Sequence, residues 1–396
     1  MQQSPEKQTS LRLKKGKERP LLQGHHWIYS GAVAENATLK TDLFTRVLSH
    51  GGAIIGTAML GAPGNSIVGH MLGIGEETIE EAISRRIRSA LALRARLFHP
   101  SITNALRLIN AEGDGIPGLI VDSYAGVLVL QISHPSLEGV KGKIVEELVA
   151  QAKPRAIYEK STSFLRKKEG LDEVKGHLYG DEISEVEIVE NGLRYSVNLL
   201  DSQKTGLFLD QREMRQIVQD LSAGKRVLNC FAYTGGFSIS ALKGGAAHVD
   251  SVETSKKCES AIAKNISLNG LPSERHHFFG EDAVRFVVSQ KLDYDIVILD
   301  PPAFAKQKSA LDQAFKAYKD LNLAAIKKMP SGSILVTCSC SYHVSEELFA
   351  NILFRASLET GRKVRIIGRH AMAADHPISV FHPESGYLKG VVLHLD

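Results

Sequence analysis

The chain has 396 residues, too many for one ordinary core, so about two or three domains are expected. A content of 43% hydrophobic and 23% charged residues excludes a disordered or fibrous chain and suits a globular one. The net charge of +4 is too small to name a partner by itself, and four cysteines are too few for a disulfide framework. No apolar run nears the roughly 18 residues that cross a bilayer. The opening MQQSPEKQTS is too polar for a secretory leader, so the expectation is a cytoplasmic chain with no membrane partner.

Residues 1–75 read as a small β-rich module. Leu43 to Ser49, Ala53 to Met59 and Ile67 to Leu72 are predicted strands, with turns at Gly51-Gly52 and within Gly61 to Asn65. Lys14, Lys15 and Lys17 crowd one stretch of it between Arg12 and Arg19, a cluster suited to a phosphate backbone or simply to a solvated face. Ile79, Ile83, Ile87 and Leu91 recur at four-residue spacing and predict a helix, with Arg85, Arg86 and Arg88 off the apolar stripe. Residues 76–184 then form a small α/β domain: strands over Ala105 to Asn110, Gly118 to Asp122, Val127 to Ile132 and Ala156 to Glu159, and a helix over Leu137 to Ala152. A second basic cluster, Arg166, Lys167 and Lys168, follows.

A boundary is expected near residue 185, so that 185–396 is the third domain. It opens with two alternating runs around Asn191-Gly192, a strong short-range hairpin signal. From about residue 225 the pattern is strand, loop, helix, repeated. Strands are predicted over Arg226 to Phe231, His248 to Val252, His276 to Phe279, Asp295 to Leu299 and Ser333 to Thr337. Such alternation specifies an α/β fold with a doubly wound, mainly parallel sheet, whose ligands bind beyond the carboxyl ends of the strands.

Chemistry-bearing residues gather at those ends. The first strand runs NCFAYTGGF into its helix, where Gly235 and Gly236 permit a tight turn and close approach of backbone to ligand. Glu253 closes the second strand 18 residues after Gly235, near the spacing at which an acidic residue receives ribose hydroxyls. Asp282 follows the third strand. Asp300 closes the fourth in DPPAF, where Pro301 and Pro302 stiffen a carboxylate-bearing turn. The fifth strand ends in TCSCS. In a strand, Cys338 and Cys340 would share a face, so alternation does not choose between them. Cys338, Cys340 and His343 match no standard zinc spacing, and His25-His26-Trp27 reads as a packed aromatic turn, so no metal is expected.

The order of glycine turn, Glu253, Asp282 and Asp300-Pro301-Pro302-Ala303-Phe304 resembles class I S-adenosylmethionine-dependent methyltransferases that act on nucleic acid bases. With QKTGLFLDQR, NCFAYTGGF and TCSCS, the chain is similar to a narrower group, the bacterial 23S ribosomal RNA cytosine-5 methyltransferases of the I type. HHWIYSGAV, GDGIPGLIVD, RKKEG, DHP and GYLKG extend the likeness over nearly the whole length. The resemblance implies a PUA-like RNA-binding domain, a small α/β middle domain and a seven-stranded Rossmann-like catalytic domain. It implies S-adenosylmethionine as cofactor and 23S ribosomal RNA, bare or in an assembling large subunit, as partner. Self-association into a homodimer stays open.

For the site, the resemblance implies that Asn229, Phe231, Tyr233, Thr234 and Gly235 take the methionine portion of the cofactor. Glu253 would hold its ribose and Asp282 its adenine edge, with Asp300 and Pro301 beside them. Lys204, Thr205 and Asp210 belong to the family's upstream cofactor motif. The family's Ser-Cys-Ser matches Ser339-Cys340-Ser341, which makes Cys340 the nucleophile and Asp300 its catalytic partner. Lys14, Lys15, Lys17, Arg166, Lys167 and Lys168 are the candidate RNA contacts. Two other functions use the same shell: methylation of a base nitrogen, which needs no cysteine, and RNA binding without catalysis.

Overall fold

The computed structural model describes residues 10–34, 43–61, 65–202, 204–305 and 307–396. Most of the turn expected within Gly61 to Asn65, and Gln203 at the head of QKTGLFLDQR, lie outside the described residues. The chain divides into two compact units. One comprises 1–186, 197–206 and 374–385, and the other 187–196, 207–373 and 386–396.

The first unit contains two sheets. Strands Ser10–Arg12, Phe44–Leu48, Ile54–Leu60, Ile67–Ile74 and Trp27–Tyr29 lie side by side in that order. The three central ones are the predicted strands, whereas the two short outer strands carry too few residues to show a period. The predicted helix is Ile79–Leu97, begun by a reciprocal cap in which Thr78 Oγ1 accepts from the Glu81 amide and Glu81 accepts from the Thr78 amide. Arg86, expected off the apolar stripe, is buried with Ile83 and Ile87, and that burial pulls its guanidinium down to about 10. The second sheet runs Val174–Gly180, Ala156–Ser161, Val127–Ile132, Leu119–Tyr124, Ala105–Asn110. The helix expected over Leu137 to Ala152 is broken in two, Pro135–Gly139 and Lys141–Ala152.

Two later segments return to this unit through buried polar bonds. Thr205 donates to Asp122 at 2.6 Å, Lys160 binds the Leu199 carbonyl at 2.9 Å, and Arg94 binds the Asp375 carbonyl at 2.7 Å. Residue spacing carries no sign of such long-range partners.

In the second unit the predicted hairpin forms from strands that meet at Asn191 (φ 48°) and Gly192 (φ 76°), both left-handed as a two-residue turn requires. The large sheet has seven strands. Their order is His276–Phe279, His248–Val252, Arg226–Cys230, Ile296–Leu299, Ile334–Ser339, Lys389–Leu395, Val364–His370. The first five are parallel, and Lys389–Leu395 runs antiparallel to both neighbours. Strand order reverses between Arg226–Cys230 and Ile296–Leu299, and that switch opens the ligand crevice at the strand ends.

A buried ion pair anchors the hairpin to this sheet's helices. Arg215 presents Nε and Nη2 to the two oxygens of Glu190, both at 2.7 Å, and Arg212 Nε lies 3.6 Å from the same carboxylate. Replacing Glu190 by Gln removes the carboxylate charge that the buried Arg215 guanidinium pairs with, with an expected cost of about 3–5 kcal/mol. Urea unfolding followed by far-ultraviolet circular dichroism measures it, and an unchanged midpoint would show that the pair contributes nothing.

Candidate active site

The first parallel strand delivers its side chains into a loop of unusual backbone. Phe231 (φ 60°), Tyr233 (φ 48°) and Gly235 (φ 82°) are all left-handed within five residues. Two non-glycine residues in that region cost of order 1 kcal/mol each or more, strain of the kind found at ligand-binding turns. Gly235 is required twice over, because a Cβ there would meet Ile262 Cγ1 at 2.8 Å. Beneath the loop runs a chain of polar contacts, Asn229 Nδ2 to Ser238 (2.8 Å), Ser238 to Ser251 (2.7 Å) and Ser251 to His276 (2.8 Å). Asn229 Oδ1 is buried without a hydrogen-bond partner.

Glu253 closes the adjacent strand half-buried. Its carboxylate accepts from the Tyr233 amide at 3.2 Å, the Thr254 hydroxyl at 3.0 Å and the Ser255 amide at 3.2 Å. The loop and the acidic strand end are thus tied together. Asp282 is exposed and caps the helix Ala283–Ser289, one oxygen accepting from the Arg285 amide at 2.8 Å. A strained loop, a carboxylate at the next strand end and an orphaned amide oxygen beneath fit a nucleoside bearing an amino-acid tail.

On the other side of the switch point, Asp300 and Cys340 end neighbouring strands. Leu299 pairs with Thr337, so Asp300 emerges beside the Cys338–Ser341 turn. Cys340 lies just past the strand end at Ser339, half-buried, with its Sγ 3.7 Å from the Pro301 carbonyl. Ser341 ties the two turns by accepting from the Ala305 amide at 3.1 Å and pairing with the Tyr318 hydroxyl at 2.9 Å. Cys338 points into the protein. Complete burial, reinforced by the negative charge of Asp300, raises its thiol well above the usual range. The two cysteines that alternation could not separate are therefore separated by the strand's end.

Residues that the sequence reading did not single out complete this half. Gln211 Nε2 donates to Asp300 Oδ1 at 3.0 Å, and Tyr387 donates its hydroxyl to Asp210 at 2.6 Å. Asp210 is buried in this unit, whereas Lys204 and Thr205 belong to the other one. Thr205 spends its hydroxyl on Asp122 and shares Tyr124 at 3.0 Å, while Lys204 is exposed. The sequence offered one signal for Gln211 and Tyr387, their place inside QKTGLFLDQR and GYLKG.

Of the basic clusters, Lys14, Lys15 and Lys17 are exposed, Lys14 reaching the Gly31 carbonyl at 3.0 Å. Lys167 and Lys168 are exposed too. Arg166 is not: it is buried, donating to Glu138 at 2.7 Å and the Ile132 carbonyl at 2.9 Å. The expectation that it faces RNA is corrected by this pairing, which a buried guanidinium needs. His25 and Trp27 pack as an aromatic turn, with the Trp27 ring 4.3 Å from that of His382. Among the described residues, Cys338, Cys340 and His343 do not converge as metal ligands, whereas His25, His382 and Glu384 bring one ligand atom each to within 4.8 Å of one another.

The comparisons accord with this geometry. A family model described as S-adenosylmethionine-dependent methyltransferase matches residues 111–355, and a PUA-like domain model matches residues 11–73. A protein of Shewanella frigidimarina named ribosomal RNA large subunit methyltransferase I is 38% identical over 390 residues, 96% of this chain and 98% of its own length. The protein of the same name from Alteromonas mediterranea is 36% identical, covering 96% and 97%. A SAM-dependent methyltransferase structure from Streptococcus mutans, 25% identical, superposes with a TM-score of 0.83 over 97% of this chain and 99% of its own. Another methyltransferase structure, complexed with SAH, gives 0.84 at the same identity and coverage.

The chain belongs to the S-adenosylmethionine-dependent methyltransferases, and within them to the family whose curated members are named ribosomal RNA large subunit methyltransferase I. Its cofactor is S-adenosylmethionine. No helix among the described residues is long and apolar enough to cross a membrane.

The burial contrast generates a chemical test. Iodoacetamide at pH 8 should label Cys340 in the native protein and leave Cys338 and Cys230 unmodified, as read by peptide mass mapping. Labelling of Cys338 ahead of Cys340 would reverse the assignment of the accessible thiol.

Proposed function

We propose that this chain methylates carbon 5 of a cytosine in 23S ribosomal RNA, with Cys340 as nucleophile and Asp300 as its partner. The observation that carries the reading is the half-exposed Cys340 thiol against the DPPAF turn, 3.7 Å from the Pro301 carbonyl. The names of the relatives support ribosomal RNA as substrate. Within the chain we assign residues 1–75 to a PUA-like RNA-binding part, 76–184 to a small α/β part and 185–396 to catalysis. The four unbridged cysteines suit a reducing cytoplasm.

Cytosine C5 is too poor a nucleophile to be methylated directly. The Cys340 thiolate adds to C6, forming an S–C bond and leaving an electron-rich enamine at C5. When bound, S-adenosylmethionine supplies a methyl group on a sulfonium, the electrophile that C5 requires. After the methyl group has reached C5, a base takes the C5 proton, and the freed electron pair re-forms the C5–C6 double bond and expels the thiolate, which breaks the S–C bond and restores Cys340. The Asp300 carboxyl, at the neighbouring strand end, hydrogen-bonds the N3–N4 edge and stabilises the adduct. Gln211 holds that carboxyl in place.

On the cofactor side, Glu253 receives the ribose hydroxyls, and the Phe231–Gly235 loop with Asn229 takes the methionine portion. Asp282 lies toward the adenine edge, Pro301 lines the methyl-transfer face, and Asp210 with its neighbours Lys204 and Thr205 belongs to the upstream motif. A paired cytosine hides C5 and C6 from a half-buried thiol, so the target base is unstacked or flipped, at a cost of a few kcal/mol. Exposed Lys14, Lys15, Lys17, Lys167 and Lys168 offset it through phosphate contacts.

Bisulfite sequencing of unmodified large-subunit RNA incubated with the protein and S-adenosylmethionine tests this. One newly protected cytosine is expected, and Cys340→Ala should lower its formation by at least about a thousandfold, the scale of losing a covalent nucleophile. Methyl label entering the RNA without bisulfite protection, and surviving Cys340→Ala, would place the methyl on a base nitrogen instead.

A further inference from the structure

Lysine is rarely buried without a carboxylate. Lys389 opens the antiparallel strand opposite Ser339 and is buried. Its side chain reaches past the end of the neighbouring strand, and Nζ donates to the carbonyls of Ser341 and Tyr387, both at 2.7 Å. Ser341 is the residue directly after Cys340. Among the described residues Lys389 forms no ion pair with a carboxylate. An ammonium has three donors, the two carbonyls use two, and the third has no partner among the described residues.

We propose that Lys389 is a positioning residue for Cys340, its ammonium acting as the fixed counter-charge that stabilises the Cys340 thiolate while its two carbonyl bonds hold the turn that carries the cysteine. This rests on the reading of Cys340 as nucleophile. The surroundings make such a cation necessary. Asp300 at the adjoining strand end, Asp210, Glu346 at the start of the helix Glu346–Thr360, Cys338, Tyr318 on the helix Leu311–Lys328, and Arg369 and His370 on the strand Val364–His370, which line a cavity with Lys389 and Glu346, are titratable or charged groups around the pair. Three are carboxylates, and a negative field holds a thiol protonated. A nearby ammonium does the opposite.

Burial draws the Lys389 ammonium down to about 8, and the attraction of Cys340 and then Glu346 works against that burial. Near neutrality Lys389 is therefore still mostly charged, and it is held on the carbonyl of the residue that follows Cys340.

The test is the pH profile of Cys340 alkylation by iodoacetamide, followed by peptide mass mapping on the full chain without cofactor or RNA. Lys389→Met should raise the midpoint by about one pH unit or more, which is roughly tenfold less thiolate at pH 7. Lys389→Arg keeps the charge and should leave the midpoint near that of the wild type. An unchanged midpoint in Lys389→Met overturns the proposal, and so does a Lys389→Arg variant that shifts as far as Met. If Lys389→Met does not fold, the wild-type profile decides. A midpoint below the roughly 8.5 of an unperturbed thiol supports the counter-charge, and one at or above it refutes it. The outcome is separable from the reading it rests on, because Cys340→Ala that retains methyl transfer removes the nucleophile while leaving the alkylation result intact.

Discussion

Parallel strands end together, and the second unit depends on that constraint. Ile296–Leu299 and Ile334–Ser339 are in register from Ile296 opposite Ile334 to Leu299 opposite Thr337, so the residues that follow must emerge side by side. The following residues are Asp300-Pro301 on one strand and Ser339-Cys340-Ser341 on the other. Contacts of Pro301, Ala305 and Tyr318 with the second turn then fix the carboxylate and the thiol against each other. Removing the register would leave the same residues with no common chemistry.

The same constraint organises the proposed cofactor side. Cys230 pairs with Val252 and with Leu299, so the strained Phe231–Gly235 loop rises between Glu253 and Asp300. Glu253 spends part of its hydrogen-bonding capacity on the Tyr233 amide, which gives the loop a shape that its own left-handed residues disfavour. The strain is therefore held by a residue 20 positions away in the chain.

Within each unit, buried charges divide by what they meet. Arg215 and Arg166 face carboxylates and serve as struts. Arg94 does the same toward Asp114 at 2.6 Å. Lys389 has carbonyls instead, which bind its protons without neutralising its charge. Only the last arrangement leaves an electric field for a neighbouring thiol to use.

The sequence by itself determined the elements and their order. Period-two and continuous apolar runs marked the five parallel strands to within about two residues, Asn191-Gly192 marked the hairpin, and strand-end residues Glu253, Asp300 and Cys340 could be listed because a parallel sheet always presents that end. Those signals are local, carried by side-chain period and by the φ preferences of glycine and asparagine. What the sequence did not carry was which charges are spent. Arg166, in a run of three basic residues, looks as exposed as Lys167 and Lys168, yet Glu138 takes it inward. Cys338 and Cys340 look equivalent until the strand stops at Ser339. Lys389 is one lysine among many until its strand pairs antiparallel beside the turn that carries Cys340. Burial and pairing depend on partners tens to hundreds of residues distant, so only the tertiary structure could assign them.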